Sequence, residues 1–291
     1  MLFLQFFMNG LLIGGLYALL ALGIVLIYKA THVFNFALGE MLAVGAFFLY
    51  TFMFFGGLPA WIAIPLTIVS AMMLGLCVER VGLRPLLGQP ILASIMATLS
   101  ISCILRGVAL FVWGSPTVSL PEKIMPTKAM RMGGLFLSNE LIWTFAVSIV
   151  LFIFLLAFFR FTKTGLFMRA TAEGHDVAQA AGINVERIFA LTWGIAAVVA
   201  AAGGIMLGNR FGIGITTLPM MGMKAFPVVL LGGLESIPGA ILGGLIIGVL
   251  ESLVSGFADP QLAEISPYLV LLLILLIRPE GLFGLKRIER I

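Results

Sequence analysis

The chain has 291 residues, of which 61% are hydrophobic and only 10% are charged. Soluble domains have about 25% charged residues, so this composition excludes a water-soluble protein and predicts an integral membrane protein. The formal net charge of +4 is small, and we attribute it to basic residues in loops rather than to nucleic-acid binding.

The long apolar runs predict eight membrane-spanning helices, because a bilayer core needs about 20 residues of helix. The runs cover 10–28, 35–55, 60–79, 91–113, 139–159, 189–208, 238–257 and 266–278. A shorter run at 220–234 contains Lys224 and Pro227, and it is either a ninth short span or a re-entrant segment. The runs lack the alternation of a transmembrane barrel, and lipid cannot satisfy an open strand edge. The predicted fold is therefore all-α, with eight or nine spans in a single domain over 1–291.

Basic residues near the span ends predict the orientation, since cytoplasmic loops are enriched in Lys and Arg. If 220–234 crosses the membrane, most basic residues near the span ends fall on one side, which we assign to the cytoplasm. They are Lys29, Arg80, Arg84, Arg160, Lys163, Arg169, Arg187, Arg278, Lys286, Arg287 and Arg290. The opposite side carries Lys123, Lys128, Arg131 and Arg210. This topology places the N-terminus outside and the C-terminus inside. If 220–234 does not cross, the N-terminus moves inside.

Glycine pairs spaced four residues apart predict close helix packing, because helices in lipid associate through close approach of their backbones. The pairs are Gly10/Gly14, Gly204/Gly208 and Gly244/Gly248. They serve packing within one subunit or packing against a second copy or a homologue.

Charged and small residues at two similar helix starts are candidates for a translocation pathway. The segment 35–46 resembles 232–240, because each has a Glu and then Gly-Ala before an apolar helix. This similarity predicts a parallel internal repeat, and transporters often place their pathway between repeats, although Gly-rich helix starts also look alike by chance. Each Glu is either a first-turn acid near the positive end of the helix dipole or a pathway residue. The candidate pathway residues are Asn35, Gly39, Glu40, Lys224, Gly233 and Glu235.

Two further charges, Arg106 and Glu251, lie inside predicted spans. A lone charge at that depth is costly, so Arg106 needs a carboxylate, carbonyl groups or water beside it. The sequence assigns no pairings, and we treat the intramembrane charges as scattered.

One polar stretch, 160–187, interrupts the spans and must face water or another protein. Gly182 predicts a helix stop, and Asn184 or Thr192 predicts the next helix start. We therefore expect two short helices joined at Gly182. Loops of this length usually carry function, which favours a docking site for a partner over a solvated connection.

The chain contains no pattern typical of an enzyme or a metal site. It lacks His-Glu-x-x-His, clustered Cys and His, and the Gly-x-Ser-x-Gly elbow. It also lacks the Gly-x-x-x-x-Gly-Lys-Ser/Thr phosphate loop. We expect no catalytic residues, no bound cofactor and no ATP hydrolysis by the usual phosphate-loop route, so ATP-driven transport requires a separate motor protein.

Several of these runs resemble one protein family in order along the chain. They include Asn-Phe-Ala-Leu-Gly-Glu at 35–40, Ala-Gly-Ile-Asn-Val-Glu-Arg at 181–187, Leu-Gly-Gly-Leu-Glu-Ser-Ile-Pro-Gly at 231–239 and Arg-Pro-Glu-Gly-Leu-Phe-Gly at 278–284. Further matching runs lie at 15–28, 79–80, 84–85, 169–173 and 200–204. The chain resembles the permease subunits of branched-chain amino acid ABC importers, the LivH/LivM type, and is more similar to LivH. Leu38 and His175 depart from the family pattern.

The resemblance implies an ABC importer permease fold in a bacterial inner membrane, with defined partners. These are a second homologous permease, two cytoplasmic ATPase subunits that bind ATP and Mg²⁺, and a periplasmic solute-binding protein. The loop 161–188 would be the cytoplasmic coupling loop seated on an ATPase. The residues that the resemblance assigns to coupling are Arg169, Glu173, Asp176, Ala181, Gly182, Asn184, Glu186 and Arg187.

Other functions stay open at this point. A related importer for urea or short amides would look similar, since the binding protein supplies most of the selectivity. A self-sufficient secondary transporter would carry paired intramembrane charges for ion coupling, and a channel would need charged or carbonyl rings.

Overall fold

The computed structural model describes residues 1–86, 88–126, 129–132, 135–278 and 280–284. Within these ranges, eight helical spans are long and apolar enough to cross a bilayer: Leu2–Thr31, Leu38–Phe55, Ala60–Leu86, Ile91–Trp113, Asn139–Phe161, Val185–Phe211, Ile237–Phe257 and Pro260–Ile277. Each overlaps one predicted span, which confirms an all-α polytopic membrane protein. Four of the basic residues used for the orientation, Lys128, Lys286, Arg287 and Arg290, lie outside the described residues. The orientation itself stays a prediction.

The chain forms twelve α-helices within the described residues. They are α1 (Leu2–Thr31), α2 (Leu38–Tyr50), α3 (Ala60–Cys77), α4 (Ile91–Trp113), α5 (Asn139–Phe161), α6 (Lys163–Glu173), α7 (His175–Ala180), α8 (Val185–Phe211), α9 (Thr217–Met223), α10 (Ala225–Gly232), α11 (Ile237–Phe257) and α12 (Pro260–Ile277). A π-helical turn extends α2 to Phe55, and irregular turns extend α3 to Leu86. Between α4 and α5, β1 (Ala129–Met132) and β2 (Leu135–Ser138) form an antiparallel hairpin.

Capping residues explain why two helices begin earlier than their apolar runs. Asp259 accepts a hydrogen bond from the Gln261 backbone N–H at 2.7 Å, and Pro260 occupies the first helical position of α12. Asn184 accepts from the Arg187 N–H at 3.0 Å at the start of α8. These side chains satisfy backbone donors that a helix start leaves unpaired.

The chain forms two compact units from interleaved segments. The first unit contains 1–25, 125–151 and 224–291, and the second unit contains 26–124 and 152–223. Neither unit corresponds to one half of the sequence. The parallel repeat of two halves therefore stays a prediction.

The first unit is built on a glycine contact between α1 and α11. A Cβ atom added at Gly10 would lie 2.6 Å from the Val249 Cα, and one at Gly14 would lie 2.8 Å from the Gly244 carbonyl oxygen. Gly248 in turn faces the backbone of Gly10 and Gly14. The predicted pairs Gly10/Gly14 and Gly244/Gly248 thus pack against each other within one chain, which brings the two backbones into direct contact.

The second unit is centred on α2 and α8, which are both mostly buried. Gly45 lies against Ala201, and Gly204 lies against the Leu42 carbonyl, with no room for a side chain at either position. Trp193 of α8 is fully buried. This packing confirms close helix contact at Gly204, again within the chain.

The ambiguous segment 220–234 is broken at Lys224 into α9 and α10. The α10 helix ends at Gly232, and Gly233 adopts a left-handed backbone with φ of 103°. Residues near the C-terminus fold back there, with the Leu282 N–H donating to the Leu231 carbonyl at 2.8 Å. The segment is irregular as predicted, and its crossing of the membrane stays a prediction.

Candidate functional site

The polar stretch folds as α6 and α7, two short helices after the end of α5. Thr162 caps α6 by accepting a hydrogen bond from the Gly165 N–H at 3.0 Å. Gly165, Met168 and Thr171 recur at helical spacing and form the buried face. A Cβ added at Gly165 would lie 2.6 Å from the Phe159 Cα. This contact holds α6 tightly against the end of α5 and turns its other face outward.

The joint between the short helices lies at Gly174 rather than at Gly182, which corrects our prediction. Glycine is a poor helix former, and the stretch contains three glycines, Gly165, Gly174 and Gly182, that could each mark the joint. Gly182 ends α7 instead: it has φ of 83°, and its N–H donates to the Gln179 carbonyl at 3.0 Å. The predicted helix stop at Gly182 and the start at Asn184 are therefore confirmed. The alternative start at Thr192 is wrong, because Thr192 is buried within α8.

The residues assigned to coupling are all exposed. They are Arg169, Glu173, Asp176, Ala181, Gly182, Asn184, Glu186 and Arg187. Sequence reasoning missed the apolar side chains beside them. Leu166 is 54% exposed and Val177 is 75% exposed. We call the eight coupling residues, together with Leu166 and Val177, the outward surface. Apolar side chains rimmed by charges are typical of a protein-contact surface.

An ion-pair chain joins this surface to α3. Arg84 donates to the Glu79 carboxylate at 3.2 Å and lies 3.4 Å from the carboxylate of Glu186. Glu79 is almost fully buried, whereas the Glu186 side chain is 60% exposed. Arg84 therefore links the start of α8 to the end of the α3 span. The sequence contained all three residues but gave no sign of their pairing.

In the second unit, Glu40 is buried in the first turn of α2 and forms an ion pair with Arg106 of α4. The Arg106 Nε donates to Glu40 Oε1 at 3.0 Å, and the Ser102 hydroxyl lies 3.4 Å from the same oxygen. Of the three kinds of neighbour that we expected for Arg106, the structure shows a carboxylate.

The two other pathway candidates of the second unit shape the start of α2. Asn35 is fully buried, and its Oδ1 accepts a hydrogen bond from the Ala37 N–H at 3.0 Å. A Cβ added at Gly39 would lie 2.9 Å from the Pro219 carbonyl oxygen. Asn35 and Gly39 therefore fix the backbone that places Glu40.

In the first unit, Lys224 forms an ion pair with Glu251 of α11. The Tyr17 hydroxyl donates to the other carboxylate oxygen of Glu251 at 2.9 Å. Lys224 immediately precedes α10, so the pair fixes the break between α9 and α10. The expectation of scattered charges is wrong, since four of the five intramembrane charges that we singled out form two pairs.

The remaining candidates, Gly233 and Glu235, lie in the turn between α10 and α11. Gly233 follows the end of α10 and Lys224 precedes its start, so α10 separates them. Glu235 precedes the N-cap Ser236, whereas Glu40 lies inside the first turn of its helix. The two glutamates of the predicted repeat therefore occupy different positions at their helix starts.

Among the described residues, no group of three or more His, Cys, Asp or Glu side chains is placed to hold a metal ion. The features that remain for function are the outward surface and the two ion pairs.

Comparison with known proteins agrees with this arrangement. A family model described as branched-chain amino acid transport system / permease component matches residues 6–277. The chain is 32% identical over 301 residues to the high-affinity branched-chain amino acid transport system permease protein LivH of Salmonella typhimurium, covering 99% of this chain and 98% of the relative. It is 31% identical over 304 residues to BraD of Pseudomonas aeruginosa, with the same coverage. A probable LivH of Methanocaldococcus jannaschii is 30% identical, covering 97% of this chain and 94% of the relative. No solved structure matches the chain significantly.

Proposed function

Because this chain belongs to the family of branched-chain amino acid transport system permease components, we propose that it forms the membrane pathway of an importer for branched-chain or other hydrophobic amino acids. The chain is a multi-pass permease subunit of an ABC importer. The identity of the cargo is the proposed part, and it rests on the names of the relatives. A zwitterion with an apolar side chain suits a route that carries few charges.

We further propose the assembly in which it works. The chain pairs with a second homologous permease in a bacterial inner membrane, with two ATPase subunits on the cytoplasmic side and a solute-binding protein on the periplasmic side. ATP and Mg²⁺ bind to the ATPase subunits, and this chain hydrolyses no ATP. The missing phosphate-loop pattern supports this division of labour.

The single observation that carries the proposal is the outward surface. Every residue assigned to coupling is exposed there, together with Leu166 and Val177. Exposed apolar side chains beside charged ones are typical of surfaces that contact another protein. In the proposal an ATPase subunit covers this surface. Closure of the ATPases on ATP binding moves α6 and α7, and the spans switch between outward and inward access.

The surface also has rigid connections to the spans, as such a role requires. The Gly165 contact joins α6 to α5, and the Arg84 ion pairs join the start of α8 to α3. Force applied at the surface therefore reaches three spanning helices through short, packed contacts.

The test is to purify the complex in mild detergent and compare charge-reversal variants of the outward surface. Glu173→Lys with Arg187→Glu should weaken retention of the ATPase subunits and lower uptake about tenfold in proteoliposomes. Gly182→Pro should also uncouple uptake from ATP hydrolysis, because proline cannot adopt a positive φ.

Glu122→Lys is a matched control, since Glu122 is exposed in the loop after α4, outside the coupling segment. It should retain the ATPase subunits at the wild-type level. Normal uptake and normal ATPase retention in the surface variants, at normal expression, would remove the coupling assignment.

A further inference from the structure

His175 makes a long-range contact that the family resemblance did not anticipate. It is the first residue of α7, and its Nε2 lies 3.0 Å from the Ala30 carbonyl oxygen. A carbonyl only accepts hydrogen bonds, so Nε2 carries the proton and donates. The imidazole ring also lies 5.5 Å from the ring of His32 and meets Phe189 edge-on at 5.1 Å. The start of α7 is therefore held by one directed bond and two ring contacts.

The Ala30 carbonyl needs a donor, because it lies at the end of a helix. Helix α1 ends at Thr31, and the last four carbonyls of a helix have no partner within it. The next residue, His32, adopts a left-handed backbone with φ of 53°, and its N–H donates to the Tyr28 carbonyl at 2.7 Å. This conformation is uncommon for a residue other than glycine. His175 thus completes the C-terminal cap of α1 from a different helix.

The segment 33–37 is short, at least partly buried throughout, and contacted by side chains of α4 and of the segment itself. The Thr98 hydroxyl lies 3.1 Å from the Phe34 carbonyl oxygen and 2.9 Å from the Ile95 carbonyl oxygen, and its single proton is shared between them. The Asn35 Oδ1 accepts a hydrogen bond from the Ala37 N–H. Asn35 and Ala37 are fully buried. A non-helical backbone fixed in this way transmits a displacement rather than absorbing it. It leads directly to Glu40 and its ion pair with Arg106.

We infer that His175 is a positioning residue that transmits movement of α7 to the start of α2. Its hydrogen bond ties the outward surface to the capped end of α1, and from there to the Glu40–Arg106 pair. This inference rests on the proposed coupling role of α6 and α7. It adds a specific route, because α7 contacts the end of α1 through the His175 side chain.

Two substitutions separate the hydrogen bond from the ring packing. His175→Phe keeps an aromatic ring beside His32 and Phe189 but removes the donor. His175→Gln removes the ring but places an amide N–H close to the position of Nε2. If the hydrogen bond matters, the Gln variant behaves like the wild type and the Phe variant does not.

The first measurement is amide hydrogen exchange on the purified complex, which reports local opening directly. In His175→Phe, exchange should rise about five- to tenfold over both 175–180 and 32–37, as expected for loss of one hydrogen bond to a helix-end carbonyl. His175→Gln should stay within about twofold of wild type. Unchanged exchange over 32–37 in His175→Phe would overturn the inference, whatever the ATPase does.

The second measurement is the number of substrate molecules imported per ATP hydrolysed. His175→Phe should retain the ATPase subunits and hydrolyse ATP but lower this ratio about five- to tenfold, and His175→Gln should restore it. A purely structural role would lower the amount of complex without changing the ratio. Equal ratios in all three proteins would sink the inference and leave the proposed function standing, whereas absence of ATPase subunits from the wild-type complex would sink the proposed function itself.

Discussion

Each of the two ion pairs joins a basic side chain to a glutamate, but the pairs differ in how exposed the basic side chain is. The Arg106 side chain is 54% exposed while its partner Glu40 is 5% exposed. Lys224 and Glu251 are 12% and 17% exposed. The Lys224–Glu251 pair is thus enclosed on both sides and fixes a helix break. The Glu40–Arg106 pair instead presents a guanidinium from a spanning helix. Lipid solvates such a group poorly, so we expect water or another protein beside that part of α4.

The largest loss of stability should come from removing one member of the enclosed Lys224–Glu251 pair. Lys224→Met leaves the Glu251 carboxylate buried without a cation, which should lower the free energy of unfolding by about 3 to 5 kcal/mol. The double variant Lys224→Met with Glu251→Leu should recover most of this loss, because apolar side chains replace both charges. Thermal unfolding of the purified proteins in one detergent checks both. A double variant no more stable than the single one would contradict the view that the unpaired carboxylate causes the loss.

In the half-exposed Glu40–Arg106 pair, loss of Arg106 should lower the stability more than loss of Glu40. Arg106→Leu leaves a buried carboxylate unpaired and should cost about 2 to 3 kcal/mol. Glu40→Gln leaves the exposed guanidinium free to find water, and the amide oxygen still accepts a hydrogen bond, so the cost should stay below about 1 kcal/mol. Unfolding midpoints of the two variants, measured together, test this asymmetry. Equal losses would mean that Arg106 is as enclosed as Lys224.

The smallest effects should come from the hydroxyl groups that support each carboxylate. Tyr17→Phe removes a 2.9 Å hydrogen bond to Glu251 and should cost about 1.5 kcal/mol. Ser102→Ala removes a 3.4 Å contact to Glu40, which is too long for a strong bond, and should cost less than about 0.5 kcal/mol. Thermal unfolding of the two variants measures both losses. A larger loss in Ser102→Ala would contradict the view that Arg106 is the main partner of Glu40.

Sequence reasoning found the elements that depend on local chemistry. Hydropathy located the eight spans, and Gly182 and Asn184 marked a helix end and a helix start because their backbone preferences act locally. The exposure of the coupling residues followed from the polar character of the stretch 160–187 as a whole, since Ala181 and Gly182 have no polar side chain. The break at Gly174 was missed, because the polar stretch 160–187 contains three glycines and no local rule ranks them.

The contacts that organise the candidate site depend on tertiary packing and left no such signal. Glu40 and Arg106 are 66 residues apart in sequence, and Lys224 and Glu251 are 27 apart. No periodicity connects residues at these separations. The same holds for His175 and Ala30, because the acceptor is a backbone carbonyl that every residue possesses. Burial could be expected for these charges, but their partners required the fold.

The glycine contact between α1 and α11 has a consequence for the order of assembly during synthesis. Gly10 and Gly14 leave the ribosome early, whereas Gly244 and Gly248 follow more than two hundred residues later. Helix α1 is therefore made long before α11, the helix that packs against its glycine face. The second unit ends at residue 223, so its segments are all made before this contact forms. Translation thus delivers 224–291, the last of the three segments of the first unit, only after every segment of the second unit.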